Sequence, residues 1–217
     1  MSFKKFVLIT LFSLCCIIPI QAATKSTPHK NPIVHIQIKS STISTSDIFI
    51  ELFEKEAPNT VANFLHYVES GFYNGTIFHR VIPNFMIQVG GFTPGMSPKN
   101  PTKPAIENEA KKSLSNLRGT LAMARTNDIN SATSQFFINT KTNPHLDHKS
   151  TKAWEFGYAV FGKVIKGMPV VDMIQRIKTH AVTYYQDVPV NDIIIVSTTI
   201  KRASSSKKKD ASKNGKK

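Results

Sequence analysis

Only two segments of this chain keep the hydrophobic period of a helix, and that scarcity constrains the fold more than any other feature. In "EAPNTVANFLHYVESG" Val61, Phe64, Leu65 and Val68 recur at helical spacing, Pro58 suits a first turn and Gly71 a stop. In "GMPVVDMIQRI" (167–177) Val171, Ile174 and Ile177 share one face. Most of the rest reads as short strands. "IVHIQIK" (33–39) alternates Val34, Ile36 and Ile38 with Ile33, His35 and Gln37, and "IFIELF" (48–53) follows a polar turn. Residues 72–91 are strand-like throughout, and "GTLAMAR" (119–125), "SQFFINT" (134–140), "FGYAVFGKV" (156–164) and "DIIIVSTTI" (192–200) are further strands. Residues 92–118, rich in Gly, Pro, Asn and Lys, read as long loops. A parallel sheet needs a crossover after each strand, and two helices are too few to supply them. The pattern predicts a mainly β fold, a closed antiparallel barrel with its two helices covering the open ends and no exposed edge.

The 217 residues suit one substantial domain, flanked by segments of different character. At the start, Lys4 and Lys5 precede an apolar run from Phe6 to Ile20, then small residues at Ala22 and Ala23. That layout is a cleaved secretory signal over residues 1–22, because the run is shorter than the roughly 20 apolar residues a spanning helix needs. Export follows, to a periplasm, the medium or the cell surface. Both cysteines, Cys15 and Cys16, fall in that segment, so the mature chain carries no disulfide and no thiol nucleophile. Residues 23–32 read as a polar linker. The tail from 201 to 217 holds eight Lys and Arg against one Asp, half of the formal charge of +14. It reads as a disordered, solvated extension with weak contact to anionic surfaces, because no aromatic residue is present to stack on nucleic acid.

Within the body, "FHRVIPNFMIQVGG" (78–91) is apolar almost throughout, yet contains Arg80 and Gln88. A buried guanidinium without a partner is too costly to be accidental. Two explanations carry equal weight on residues alone: an ion pair with Glu51 or Glu107, or a cleft that waits for a polar ligand. No phosphate-cradling glycine motif and no nucleophile elbow occurs, and no carboxylate pair stands beside a candidate nucleophile. His145, Asp147 and His148 of "HLDH" read as an exposed polar loop rather than a metal site. What remains is Arg80, Gln88 and Gln135 with the apolar Phe85, Met86, Phe137 and Leu146, a set that suits a shallow cleft for an apolar group beside an amide.

At "FHRVIPNFMIQVGG", and through "NTVANFLHYVESGFYNGTIFHRVI", "GTLAMAR", "SATSQFFI", "LDH" and "FGYAVFGKVIKGM", the chain resembles the cyclophilin-type peptidyl-prolyl cis-trans isomerases. The resemblance spans residues 33–200, and "AMARTNDINSATSQFFIN" and "GYAVFGKV" are similar to the bacterial periplasmic branch. It implies an eight-stranded barrel, no cofactor or metal, proline-containing polypeptides as substrates and a role in folding exported proteins; a non-catalytic peptide-binding module is the alternative. It implies Arg80 as the catalytic residue and Phe85, Met86, Phe137 and Leu146 as the proline pocket. Gln88 matches the glutamine that holds the arginine and contacts the substrate carbonyl. Gln135, Ala124 and Arg125 match cleft positions, Arg125 where many eukaryotic members carry Asn, and His79 matches a supporting position. Tyr158 stands where eukaryotic forms often have His. His145 occupies a position commonly Trp, or Phe in bacterial forms, and implies weak cyclosporin binding.

Overall fold

The computed structural model describes residues 31–201. The signal, most of the linker and all but the first residue of the basic tail lie outside the described residues. Among the described residues twelve strands and two α-helices follow in order: β1 (Ile33–Lys39), β2 (Ser46–Leu52), α1 (Pro58–Glu69), β3 (Phe78–Ile82), β4 (Met86–Val89), β5 (Phe92–Thr93), β6 (Ser97–Pro98), β7 (Thr120–Met123), β8 (Phe136–Asn139), β9 (Val160–Lys166), α2 (Met168–Ile174), β10 (Thr179–Val182), β11 (Tyr185–Pro189) and β12 (Ile194–Lys201). Eight of the strands form one antiparallel sheet in the order β12-β1-β2-β9-β7-β8-β4-β3.

The expectation of a closed barrel needs one correction. The sheet curls until its two end strands approach, but β3 and β12 share no ladder. They meet at a single bridge between Ile77 and Ile194, flanked by Phe78 N donating to Ile193 O at 3.0 Å and Ile195 N to Thr76 O at 2.8 Å. The accumulated strand twist brings the ends together at one point and lets them diverge beyond it, leaving a strongly curled half-barrel.

The concave side holds the main core. Val34, Ile36, Ile38, Ile48, Ile50, Leu52, Val81, Ile87, Val89, Leu121, Phe136, Ile138 and Phe161 point inward and are fully or almost fully buried. The α1 helix closes one end with Val61, Phe64, Tyr67 and Val68; the Phe64 ring lies 5.2 Å from Phe136 and 5.1 Å from Phe161. Leu65 is only partly buried against this core. The α2 helix contributes Val171 and Ile174, while Ile177 packs from just past the helix end. The N-cap of α1 is Ala57, which offers no side-chain acceptor. Glu109 takes that role from a distant loop, accepting from Asn59 N at 3.1 Å and from Thr60 N and Oγ1 at 2.7 and 2.6 Å, a carboxylate on the positive end of the helix.

The strand-like stretch 72–91 contains the two strands β3 and β4. Asn84, at φ 55°, turns the chain, and Phe85 N donates to Ile82 O at 3.2 Å. Residues 179–182 and 185–189, to which the hydrophobic pattern assigned nothing, form a separate hairpin, β10 with β11. Val188 anchors it in a small cluster with Ile77, Phe92 and Met96, which lays β11 beside β3.

Candidate active site

Successive residues of a strand point to opposite faces of a sheet. In β4, Ile87 and Val89 enter the main core, while Met86 and Gln88 face outward. In β8, Phe136 and Ile138 point in and Phe137 out; in β7, Leu121 points in and Ala122 out. The outward set of Met86, Ala122, Phe137, Leu146 and Val160 forms a second apolar cluster, with Phe85, Ala124 and Tyr158 packed against it. The sequence there is apolar almost throughout because both faces of the sheet are covered.

A cleft of about 480 Å³ opens over that second cluster. Ten of the residues singled out from the sequence line it: Arg80, Phe85, Met86, Gln88, Ala124, Arg125, Gln135, Phe137, Leu146 and Tyr158. His79 does too. His145 does not; it lies in the neighbouring groove, with its ring stacked 5.4 Å from that of Phe85. Trp154, the nearest tryptophan in sequence, also lines that groove and not the cleft.

The geometry bears on three readings of Arg80. Its side chain is 45% exposed at the mouth of the cleft rather than buried. Neither Glu51 nor Glu107 is its partner: Glu51 Oε2 lies 3.2 Å from Lys163 Nζ, and Glu107 is exposed. The acid beside it is Asp187 on β11, at 3.9 Å from Nε to Oδ2 and itself 39% exposed. A pair that loose and that wet is worth about 0–1 kcal/mol and does not lock the guanidinium. Finally, Gln88 sits directly across the β3–β4 ladder from Arg80, but its amide donates to Gln135 Oε1 at 2.9 Å. Gln135 in turn lies against Gly91, where a Cβ would meet its side-chain amide and push that side chain aside.

The apolar floor is held from behind by amides. Asn143 Nδ2 donates to Phe85 O at 2.9 Å and to Asn139 Oδ1 at 2.7 Å. Asn116 Nδ2 donates to Leu146 O at 3.1 Å, and Asp147 Oδ1 accepts from Asn116 N at 2.6 Å. Asp147 thus fixes the loop that presents Leu146, and His148 Nδ1 lies 2.8 Å from Phe156 O in the same loop. Gly157, at φ 79°, passes so close to the 146–148 backbone that a side chain there would collide with it. On the far wall, Arg125 reaches three carbonyls, Gly157 O at 3.1 Å, Thr126 O at 2.9 Å and Ala153 O at 3.2 Å, with its guanidinium 4.9 Å from the Tyr158 ring centre. Tyr158 packs edge-on against Phe137 at 5.6 Å.

Sequence reasoning missed the near wall. Phe92 and the hairpin residues Tyr184, Tyr185, Gln186 and Asp187 line the cleft beside Arg80, and Tyr185 sits edge-on 5.0 Å from Phe92. The run of Thr, Val and Tyr in "THAVTYYQDV" was the available signal for a hairpin. His79 lies behind this wall, 4.6 Å from Phe92, and burial pushes its pKa down to about 4 against smaller upward pulls from the Ile77 backbone and the Gln135 amide. At neutral pH the ring is uncharged. The cleft therefore offers an apolar pocket, an amide pair and one half-exposed guanidinium, a set able to bind and polarise a neutral amide.

Comparison with known proteins agrees with this geometry. The family model described as cyclophilin type peptidyl-prolyl cis-trans isomerase/CLD matches residues 34–200. The chain is 50% identical over 192 residues to peptidyl-prolyl cis-trans isomerase A of Dickeya dadantii, covering 88% of this chain and 94% of that protein. It is 53% identical over 154 residues to peptidyl-prolyl cis-trans isomerase B of Escherichia coli, covering 71% and 93%. Among solved structures, a cyclophilin type peptidyl-prolyl cis-trans isomerase of Cryptosporidium parvum superposes with a TM-score of 0.64 at 27% identity, over 81% of this chain and all of that one. The same protein in the presence of the dipeptide Ala-Pro gives 0.62 at 28% identity, over 78% and 99%.

The His79 shift has a measurable consequence. Its pKa falls from an ordinary 6.5 to about 4 on folding, so between those values the unfolded chain binds the extra proton. The stabilisation is whole above pH 6.5 and is lost as pH drops toward 4, on the order of 3 kcal/mol in all. Thermal melts between pH 7 and pH 4 should show the wild-type midpoint falling more steeply than that of His79→Gln. Parallel slopes would contradict the assignment.

Proposed function

The chain belongs to the cyclophilin-type peptidyl-prolyl cis-trans isomerases, and we propose that Arg80 is the group that lowers the barrier. The enzyme interconverts the cis and trans forms of X-Pro bonds in proline-containing peptides. The barrier arises because the C–N bond has partial double-bond character, about 18–20 kcal/mol against rotation. Twisting breaks that resonance and returns a lone pair to the prolyl nitrogen. The proline ring packs on Phe85, Met86, Phe137 and Leu146. Arg80 then donates toward the nitrogen as it pyramidalises, an interaction stronger in the twisted state than in either planar isomer. Gln88 and Gln135, joined to each other, hold the carbonyl side. No proton changes hands, so the neutral His79 and the lone cleft carboxylate of Asp187 need not act as acid or base.

The observation that carries this reading is the half-exposed guanidinium at the edge of an apolar pocket, held only loosely by Asp187. A donor of this kind is worth about 100-fold or more in rate. Replacing Arg80 by Ala should lower kcat/KM for an X-Pro peptide by that factor in a protease-free assay, with KM changed only a few-fold. Equal rates for variant and wild type would leave a peptide-binding module in place of an enzyme built around Arg80.

We further infer that the enzyme acts on exported proteins, where slow X-Pro isomerisation limits folding. The charged, apolar and small-residue segments of positions 4–23 and the lack of cysteine after Cys16 support this. The mature protein should begin at Ala23 by intact-mass measurement, and retention of Met1 would refute export by cleavage.

A further inference from the structure

The groove that holds His145 is continuous with the Arg80 cleft. It encloses about 510 Å³ and shares Arg125, Leu146 and Tyr158 with the cleft, so those three side chains form the saddle between two depressions. The saddle is firm. Arg125 is tied to three backbone carbonyls and stacked on Tyr158, and one of those carbonyls, Ala153 O, belongs to the loop on the groove's far side. That loop is closed on itself: Lys149 N donates to Glu155 O at 2.8 Å, Glu155 N to Lys152 O at 2.9 Å, and Ser150 Oγ to Glu155 Oε2 at 2.5 Å. Within it stands Trp154, the one tryptophan of the chain, 78% exposed, with Lys152 Nζ 5.7 Å from its ring centre.

A tryptophan held by an ordered loop and turned to water forgoes the burial that so large a ring normally gains in folding. The floor beneath it, Leu146 and Tyr158, is apolar and aromatic and is the same floor the substrate cleft uses. A polypeptide whose proline lies in the cleft and whose chain runs out over Arg125 and Tyr158 enters this groove without bending away from the surface. We propose that the Trp154 groove is a second substrate subsite, which takes an aromatic or large aliphatic side chain of an extended polypeptide a few residues from the isomerised proline. This rests on the isomerase reading of the cleft and adds to it a preference for long, apolar-bearing clients over short peptides. Trp154 has no part in the bond rotation; it holds the chain.

The test uses the mature protein and two kinds of synthetic peptide: a capped Ala-Ala-Pro-Ala tetrapeptide, and decapeptides with the same core and one Phe three to five residues to either side. With the Phe on one of the two sides, the decapeptide should change the emission of Trp154, which reports alone, and the tetrapeptide should not. Trp154→Ala should keep wild-type kcat/KM on the tetrapeptide and raise KM about 3- to 10-fold on the responsive decapeptide, the range expected for losing one aromatic contact. Absence of an emission change with every decapeptide, or an equal KM for variant and wild type, overturns the subsite. Tetrapeptide turnover reports separately on the isomerase cleft, so a failure of the groove is distinguishable from a failure of the enzyme.

Discussion

The pairing of β3 with β4 sets Arg80 directly across from Gln88 on the outer face of the sheet, and the remainder of the site is arranged around that placement. It depends on period-2 alternation being kept without a slip through β4 and β8. A shift of one residue would send Met86, Gln88 and Phe137 into the core and bring Ile87 and Ile138 out to the cleft. The main core prevents such a shift, because Ile87, Val89, Phe136 and Ile138 are locked among α1, β7 and β9. Core packing and site geometry are thus two consequences of one register. The amides of Asn116, Asn139 and Asn143 extend the same control to the loops that carry Phe85 and Leu146.

The electrostatics of the site follow from what is left unpaired. Arg118, elsewhere in the fold, grips Asp172 with both guanidinium nitrogens at 3.0 and 2.8 Å, and the ion pair pulls that carboxyl below its usual range. Arg125 is held by three backbone carbonyls. Arg80 differs from both: its one acidic neighbour lies 3.9 Å away, half in solvent. Its donors therefore stay available to a ligand, with Asp187 beside the side chain but not locking it. A donor left free in this way acts when a twisted amide presents its nitrogen.

Much of this was legible in the sequence because it is local. The two helical periods, the alternation in 33–39 and the breaks at Pro58 and Gly71 all appear where local rules place them. Arg80 and Gln88 stand out because they interrupt an apolar run. What could not be read depends on contacts distant in sequence. Asp187 reaches Arg80 across more than a hundred residues, and Glu109 caps a helix whose own N-cap residue is Ala57. The β10–β11 hairpin turns at Thr183, which adopts a left-handed φ of 52° without the Gly or Asn that usually marks such a turn. The seam between β3 and β12 was expected as a full closure and is one bridge, because strand patterning says that ends meet but not for how long. The expected burial of Arg80 failed for a related reason: an apolar run can mean two covered faces, and the opening lies on the outer one.

The central claim is that a planar, forked donor, and not positive charge alone, steadies the rotating imide. Replacing Arg80 by Lys keeps the charge and loses the planar fork, so it isolates that claim. Exchange spectroscopy on a saturating Ala-Pro peptide measures the cis-trans rate on the enzyme itself. The account predicts that Arg80→Lys binds the peptide about as well as wild type but isomerises it at least about tenfold more slowly, a loss of roughly 1.4 kcal/mol in barrier lowering. A lysine variant that exchanges the bound peptide at the wild-type rate would contradict it.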